Sequence, residues 1–139
     1  MGAILGSLVA PLDERLDGAC LLVGGGRWDL LIAGSAHPAV EAIRKQFPDA
    51  GPIRQAMTYL EPTQFIGHLA PRPLLMVNGR QDQIVPPESG QALFQAACEP
   101  KEIVWYDGGH IPPLVLILPK VTSFLRTMLK LPAETPAQP

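Results

Sequence analysis

Two residues of this sequence have the types and the spacing expected of a general base and the acid that orients it. Asp82 lies in the turn "GRQDQ" after the apolar run "LLMV", and His110 follows Gly108 and Gly109, 28 residues further on (110 − 82). A carboxylate that accepts the imidazole Nδ1–H fixes its tautomer and stabilises the imidazolium that forms when Nε2 takes a proton from a nucleophile. The pair predicts a histidine base with Asp82 as its orienting acid, although aspartate is also common in turns that do no chemistry.

Three apolar runs predict the strands that position these two residues. They lack polar alternation, which is typical of strands covered on both faces, and they occupy 18–26, 72–79 and 102–109. A helical pattern separates the last two, with Leu93, Phe94 and Ala97 on one face, so these strands are expected to be parallel neighbours joined by a right-handed crossover. Because ligand groups of such sheets gather at the carboxyl ends of the strands, Asp82 and His110 are expected to lie side by side.

Helical patterns precede, interrupt and follow these strands. The stretch "GAILGSLVA" predicts a helix that Pro11 ends. Residues 27–70 show no strand signal, and Pro38 suits the first turn of a helix within them. A closing helix is predicted to begin around Pro119, with an apolar face made by Leu118, Val121, Leu125 and Met128.

The fold class that follows is α/β. We predict a three-stranded parallel sheet with flanking helices and a cap-like helical insertion at 27–70, all within one domain at 1–130. The remainder, 131–139, is rich in proline and alanine and is expected to be disordered.

Composition and charge exclude several classes of partner. The net charge of −2, without a Lys/Arg run, gives no electrostatic footprint for nucleic acid or an anionic membrane. No apolar run approaches the roughly 20 residues of a membrane span, and the N-terminus lacks the basic start and cleavage site of a signal peptide. A soluble cytoplasmic protein is the expectation.

The sequence also gives no sign of a metal or a cofactor. Cys20 and Cys98 form no metal-binding spacing with the histidines and are interpreted as free thiols. The glycines at 24–26 are not followed by the Lys-Ser/Thr of a phosphate-binding loop, which favours a simple turn after a strand.

Two segments carry a resemblance to a known family. "PRPLLMVNGRQDQIVPP" and "VWYDGGHIPP" resemble the acid and histidine segments of the α/β-hydrolase fold, particularly its dienelactone hydrolase and acetyl xylan esterase-like branches. The resemblance extends over the chain up to Lys130. It implies the C-terminal half of such a fold, a triad in the order Ser, Asp, His, and a nucleophilic serine in a G-x-S-x-G elbow.

The resemblance places the nucleophile outside the sequence. Met1 and Gly2 align with the last two positions of G-x-S-x-G, so the serine corresponds to the residue before Met1, and the Met1 nitrogen corresponds to an oxyanion donor. Ser7 and Ser35 lack the flanking glycines of an elbow. Trp28 is interpreted either as packing of the cap-like segment or as part of an acyl pocket.

The functional expectation is a fragment of a serine-type ester hydrolase, with Asp82 and His110 as its catalytic residues and a small ester as its substrate. The isolated chain is expected to be inactive, because it lacks the nucleophile. Removal of the preceding strands would leave the 19–23 strand with an unpaired edge, which predicts self-association or complementation by a separate N-terminal chain. The alternatives are a non-catalytic pseudoenzyme or homodimeric interaction module, and a fragment whose internal Met was taken as the start.

Overall fold

A three-stranded parallel sheet forms the centre of the molecule, as the sequence predicts. The structure is a computed structural model that describes residues 2–49 and 51–132, so 133–139 of the predicted tail lie outside the described residues. The strands are β1 (Ala19–Leu22), β2 (Leu74–Gly79) and β3 (Lys101–Tyr106), in the order β1-β2-β3. Both pairings are parallel, which confirms the α/β class.

Strand β2 holds the other elements together because it is paired on both edges and covered on both faces. All six of its residues are buried, which explains its uninterrupted apolar sequence. Leu74 is aligned with Ala19 on one side and with Lys101 on the other. This register brings the ends of β2 and β3 level, so that Gly79 is aligned with Tyr106.

Seven α-helices and two 3-10 helices are present among the described residues. The α-helices are α1 (Gly2–Leu12), α2 (Trp28–Gly34), α3 (Pro38–Gln46), α4 (Gly51–Met57), α5 (Pro62–Phe65), α6 (Pro87–Ala96) and α7 (Leu114–Met128), and the 3-10 helices are Thr58–Leu60 and Ile66–Leu69. The segment predicted as a helical insertion therefore contains α2 to α5. No helix within the described ranges is long and apolar enough to cross a membrane.

The sheet separates two apolar layers. On one face, Leu74 and Met76 of β2 pack with residues of α1, α6 and the second 3-10 helix, including Ala10, Leu93 and Ile66. On the other face, side chains of β2 and β3 pack with Ile117 of α7. The alternation of β2 side chains therefore supplies both layers from one short strand.

Two predicted helix boundaries were wrong. Helix α1 continues past Pro11 to Leu12, since the amide of Asp13 still donates to the carbonyl of Val9 (2.9 Å). Helix α7 begins at Leu114, directly after its N-cap Pro113, so Pro119 lies inside the helix. There, the proline ring removes the N–H that would bond the carbonyl of Val115.

The predicted apolar face of α7 was also partly wrong. Leu118 and Leu125 are exposed, whereas Ile117 is buried and Val121 and Phe124 pack beside it. Every position of "LVLIL" is apolar, so the sequence does not distinguish the face that meets the sheet. The position of α7 over β2 and β3 decides it.

Arg72 ties the end of α1 to the start of β2. Its guanidinium donates to the carbonyls of Pro11 (2.9 Å), Asp13 (2.7 Å) and Leu16 (3.0 Å), and its Nε donates to the carbonyl of Leu69 (3.2 Å). The last carbonyls of a helix have no partner within the helix. One half-buried side chain thus supplies hydrogen bonds to the carbonyls where the chain leaves α1, and it fixes this segment against the sheet.

We predict that Arg72→Met lowers the free energy of unfolding by about 2 kcal/mol, because it removes charged donors from several carbonyls at once. Chemical denaturation followed by circular dichroism measures the change. Arg15→Met is the matched control: Arg15 pairs with Asp13 at the surface, with 89% of its side chain exposed, and its loss should not shift the denaturation midpoint. Equal midpoints for the Arg72 variant and the unsubstituted chain would contradict this role.

Candidate active site

Asp82 and His110 lie in contact at the carboxyl ends of β2 and β3. The His110 Nδ1 is 2.9 Å from the Asp82 Oδ2. The Asp82 carboxylate is fully buried, whereas 35% of the His110 side chain is exposed. The ring is therefore held through Nδ1 by a buried acceptor, and no hydrogen bond to Nε2 is found among the described residues, which leaves Nε2 available for proton transfer.

The backbone after β2 fixes the orientation of the Asp82 carboxylate. Its other oxygen, Oδ1, accepts the amide hydrogens of Ile84 (2.8 Å) and Val85 (2.9 Å). These bonds close the turn between β2 and α6. With Oδ1 occupied in this way, Oδ2 is the oxygen directed at the imidazole.

The turn that carries His110 packs directly on the end of β2. The amide of Gln81 donates to the carbonyl of Gly108 (3.0 Å), and a Cβ atom at Gly79 would lie 2.5 Å from the carbonyl oxygens of both Gly108 and Gly109. Gly79 therefore has to be glycine for the turn to approach this closely. A Cβ at Gly109 would meet its nearest neighbour only at 3.9 Å, and no glycine in the described ranges has a positive φ.

Sequence reasoning missed a residue of this turn, Tyr106. Its hydroxyl donates to the carbonyl of Gly109 (2.6 Å), one residue before the histidine. The sequence signal was an aromatic residue with a polar tip at the end of a strand, directly before "DGGH". Such a pattern does not say where the hydroxyl points, and only the packed turn shows it.

Trp28 lies close to the Asp82 turn. It packs against a buried cluster made by Ile4, Leu31 and Val85, and Val85 is one of the residues whose amide holds Asp82. The Glu61 carboxylate positions the start of α2 by accepting the amide hydrogens of Arg27 (2.7 Å) and Trp28 (3.0 Å). Trp28 thus combines packing with a position near the acid, and its role in an acyl pocket stays a prediction.

Three of the four serines are engaged elsewhere, and the fourth, Ser123, is exposed on α7. Ser7 donates to the carbonyl of Ile4 within α1 (2.7 Å), Ser89 donates to the carbonyl of Gly26 (2.6 Å), and both are buried. Ser35 is buried and accepts the amide hydrogen of His37, which is itself the N-cap of α3. Among the described residues, no hydroxyl is hydrogen-bonded to His110. Met1, the expected oxyanion donor, lies outside the described residues.

This parallel sheet, with an acid after one strand and a histidine after the next, forms part of an α/β-hydrolase fold. Residues 2–115 match the family model "Serine hydrolase (FSH1)". The chain therefore belongs to the FSH1 serine hydrolase family. No curated protein sequence matches it.

Solved structures with a similar fold are esterases and other α/β hydrolases. The acetyl xylan esterase from Paenibacillus sp. R4 has a TM-score of 0.76 at 20% identity, and the similarity covers 93% of this chain and 42% of that one. The esterase domain of a Rhodothermus marinus protein has a TM-score of 0.68 at 19% identity, and the similarity covers 91% of this chain and 57% of that one. The α/β hydrolase GrgF from Penicillium sp. sh18 has a TM-score of 0.67 at 15% identity, and the similarity covers 92% of this chain and 61% of that one. This chain thus spans about two fifths to three fifths of the length of these hydrolases.

We predict that Asp82→Asn changes the tautomer of His110. The amide oxygen can still accept the hydrogens of Ile84 and Val85, but the amide NH₂ then faces Nδ1, which must become the acceptor. Nitrogen-15 NMR of the imidazole should show the proton moved from Nδ1 to Nε2. Asp107→Asn is the control, since the side chain of Asp107 is 87% exposed on the turn that carries His110. An unchanged tautomer in the Asp82 variant would refute the orienting role of Asp82.

Proposed function

We propose that this chain supplies the acid and the histidine of a serine-type carboxylic ester hydrolase whose nucleophile comes from polypeptide outside residues 1–139. The observation that carries the proposal is the hydrogen bond between His110 and the buried Asp82 in a member of the serine hydrolase family. The exposed side of the imidazole suits a nucleophile that approaches Nε2.

The reaction proceeds in two proton-balanced steps. In the first, Nε2 of His110 takes the proton of the serine hydroxyl as its oxygen attacks the ester carbonyl, and the proton then passes to the departing alcohol. In the second, water attacks the acyl-serine, gives a proton to His110, and the proton returns to the serine as the carboxylic acid leaves. Asp82 stays ionised and stabilises the imidazolium in both steps.

The position of α1 supports a nucleophile in the residue before Met1, two positions ahead of Gly2. Ile4, in the first turn of α1, shares a buried cluster with Val85 of the Asp82 turn. A serine two residues ahead of α1 is therefore proposed to lie at the end of the sheet where the acid and the histidine meet. Such a serine would also lie close to a helix N-terminus, where free amide hydrogens stabilise an oxyanion.

The substrate class we propose is a small carboxylic ester. Support comes from similar solved structures, two of which are an acetyl xylan esterase and an esterase domain. Trp28, half-buried against the apolar cluster, provides a surface for an acyl group beside the Asp82 turn. The two free cysteines fit the reducing conditions of the cytoplasm, where we propose that the protein works.

We further propose that the polypeptide carrying the nucleophile docks on the open edge of β1. The amides of Ala19 and Val23 donate to β2 (to the carbonyls of Pro73 and Val77), so alternation directs the backbone groups of Cys20 and Leu22 to the opposite edge. The described chain contains no further strand there. Beside this edge, α1 exposes an apolar stripe formed by Leu5, Val9 and Leu12, which a continuing domain would cover.

The activity is tested with the reading frame extended upstream of Met1. We expect codons for Gly-x-Ser directly before Met1, and we expect the extended chain to hydrolyse p-nitrophenyl acetate. His110→Ala should lower kcat/KM by about 10³-fold or more, as for other triad histidines. The control is His68→Ala, because His68 is exposed on the second 3-10 helix. Equal rates for the extended chain and its His110 variant would eliminate the proposed chemistry.

The docking surface is tested on the chain without its complement. Exposed apolar edges associate, so we expect residues 1–139 to form dimers or larger species at micromolar concentration. Val9→Glu should reduce this association, whereas Leu60→Glu should not, although both side chains are 53% exposed. Size-exclusion chromatography with light scattering measures the mass. A stable monomer of the unsubstituted chain would contradict the open-edge proposal.

A second candidate function is a non-catalytic homodimeric module. The observation that favours it is the same apolar stripe on α1, which a second copy could cover. A stoichiometric dimer that binds no nucleophile-bearing polypeptide and hydrolyses no ester would support this candidate over the hydrolase.

A further inference from the structure

Tyr106 connects the core of the molecule to the turn that presents His110. It is the last residue of β3, and its side chain is only 6% exposed within the layer covered by α7. From this position the hydroxyl reaches the carbonyl of Gly109 at 2.6 Å. A hydrogen bond from the core thus ends on the peptide bond that joins Gly109 to His110.

The rest of the turn is held by backbone contacts to the residues that directly follow β2. The amide of Arg80 donates to the carbonyl of Tyr106 (3.0 Å), and the amide of Gln81 donates to the carbonyl of Gly108 (3.0 Å). The ring of Tyr106 also lines Gly108, because a Cβ atom there would be 3.3 Å from two ring carbons. Gly109 itself is exposed, and within the described chain the Tyr106 hydroxyl is the donor that bonds its carbonyl.

The hydroxyl is suited to act as a permanent donor. Burial, and to a lesser degree the charge of Asp82, raise the pKa of Tyr106 above its ordinary value. The group therefore stays protonated throughout the range in which a histidine can act as a base. A carbonyl cannot donate, so the direction of this hydrogen bond is fixed.

We propose that Tyr106 is a positioning residue for His110: its hydroxyl holds the Gly109 carbonyl so that the imidazole Nδ1 stays on the Asp82 carboxylate. The inference rests on the proposed function, in which His110 is the base. Without the hydroxyl, the Gly109–His110 peptide can rotate, and the ring leaves Asp82 for part of the time. Proton transfer by His110 depends on that alignment, since small displacements of a base cost rate.

The ring and the hydroxyl of Tyr106 can be separated by Tyr106→Phe, which keeps the packing of the aromatic ring. Tyr59→Phe is the matched control, because Tyr59 is the other tyrosine of the chain and is 81% exposed. The readout is the His110 Nδ1–H proton in NMR spectra of residues 1–139. We expect its exchange with water to be about tenfold faster in the Tyr106 variant, the factor for loss of one hydrogen bond, and unchanged in the Tyr59 variant.

An unchanged exchange rate in a folded Tyr106→Phe variant would overturn the proposal. If that variant does not fold, the unsubstituted chain provides the test. The Tyr106 hydroxyl proton should give a nuclear Overhauser contact to the α-hydrogens of Gly109. The absence of that contact, with the hydroxyl proton exchanging as fast as that of Tyr59, would also overturn it.

The NMR measurement needs neither a nucleophile nor a substrate, so it separates this inference from the proposed hydrolase. In the extended, active polypeptide, Tyr106→Phe should lower kcat about tenfold and leave KM unchanged, because the tyrosine acts on the base rather than on the substrate. Faster proton exchange in an extended chain without esterase activity would support the positioning role and refute the hydrolase. Unchanged proton exchange together with an unchanged kcat in the variant would refute the positioning role and support the hydrolase.

Discussion

The structure depends on the parallel pairing of β2 with a strand on each side. Because β2 is buried at every position, its side chains supply both apolar layers and its backbone fixes the register of β1 and β3. The level ends of β2 and β3 then determine where the next residues can go. Asp82 and His110 meet because each follows its strand by a short turn, so the site is a consequence of sheet register rather than of their separation in sequence.

The two turns at this edge stabilise one another. The Asp82 turn is closed by the amides of Ile84 and Val85, and the His110 turn rests on Gly79 and on the hydroxyl of Tyr106. Each support is a backbone group or a buried side chain. The histidine is therefore held by backbone groups and buried side chains while part of its ring is exposed. Proton transfer requires a base that is both fixed and accessible.

The opposite edge of the sheet is where we propose that further polypeptide docks. Strand β1 presents backbone groups away from β2, and α1 exposes apolar side chains beside them. The chain also spans less than half of the length of the acetyl xylan esterase it resembles. In our proposal, the polypeptide that docks on this edge also covers α1 and supplies the nucleophile, so we expect the stability and the activity of this protein to depend on one interface.

The sequence by itself determined the three strands, their parallel arrangement and the pairing of Asp82 with His110. It could do so because continuous apolar runs, glycine turns and crossover handedness are local or near-local rules. Tertiary structure alone decided which face of α7 is buried and where the hydroxyl of Tyr106 points. It also showed that the close approach of the His110 turn requires glycine at position 79. Each of these depends on the approach of elements that are distant in sequence. In "LVLIL" every residue is apolar, so only the sheet beneath α7 could select Ile117.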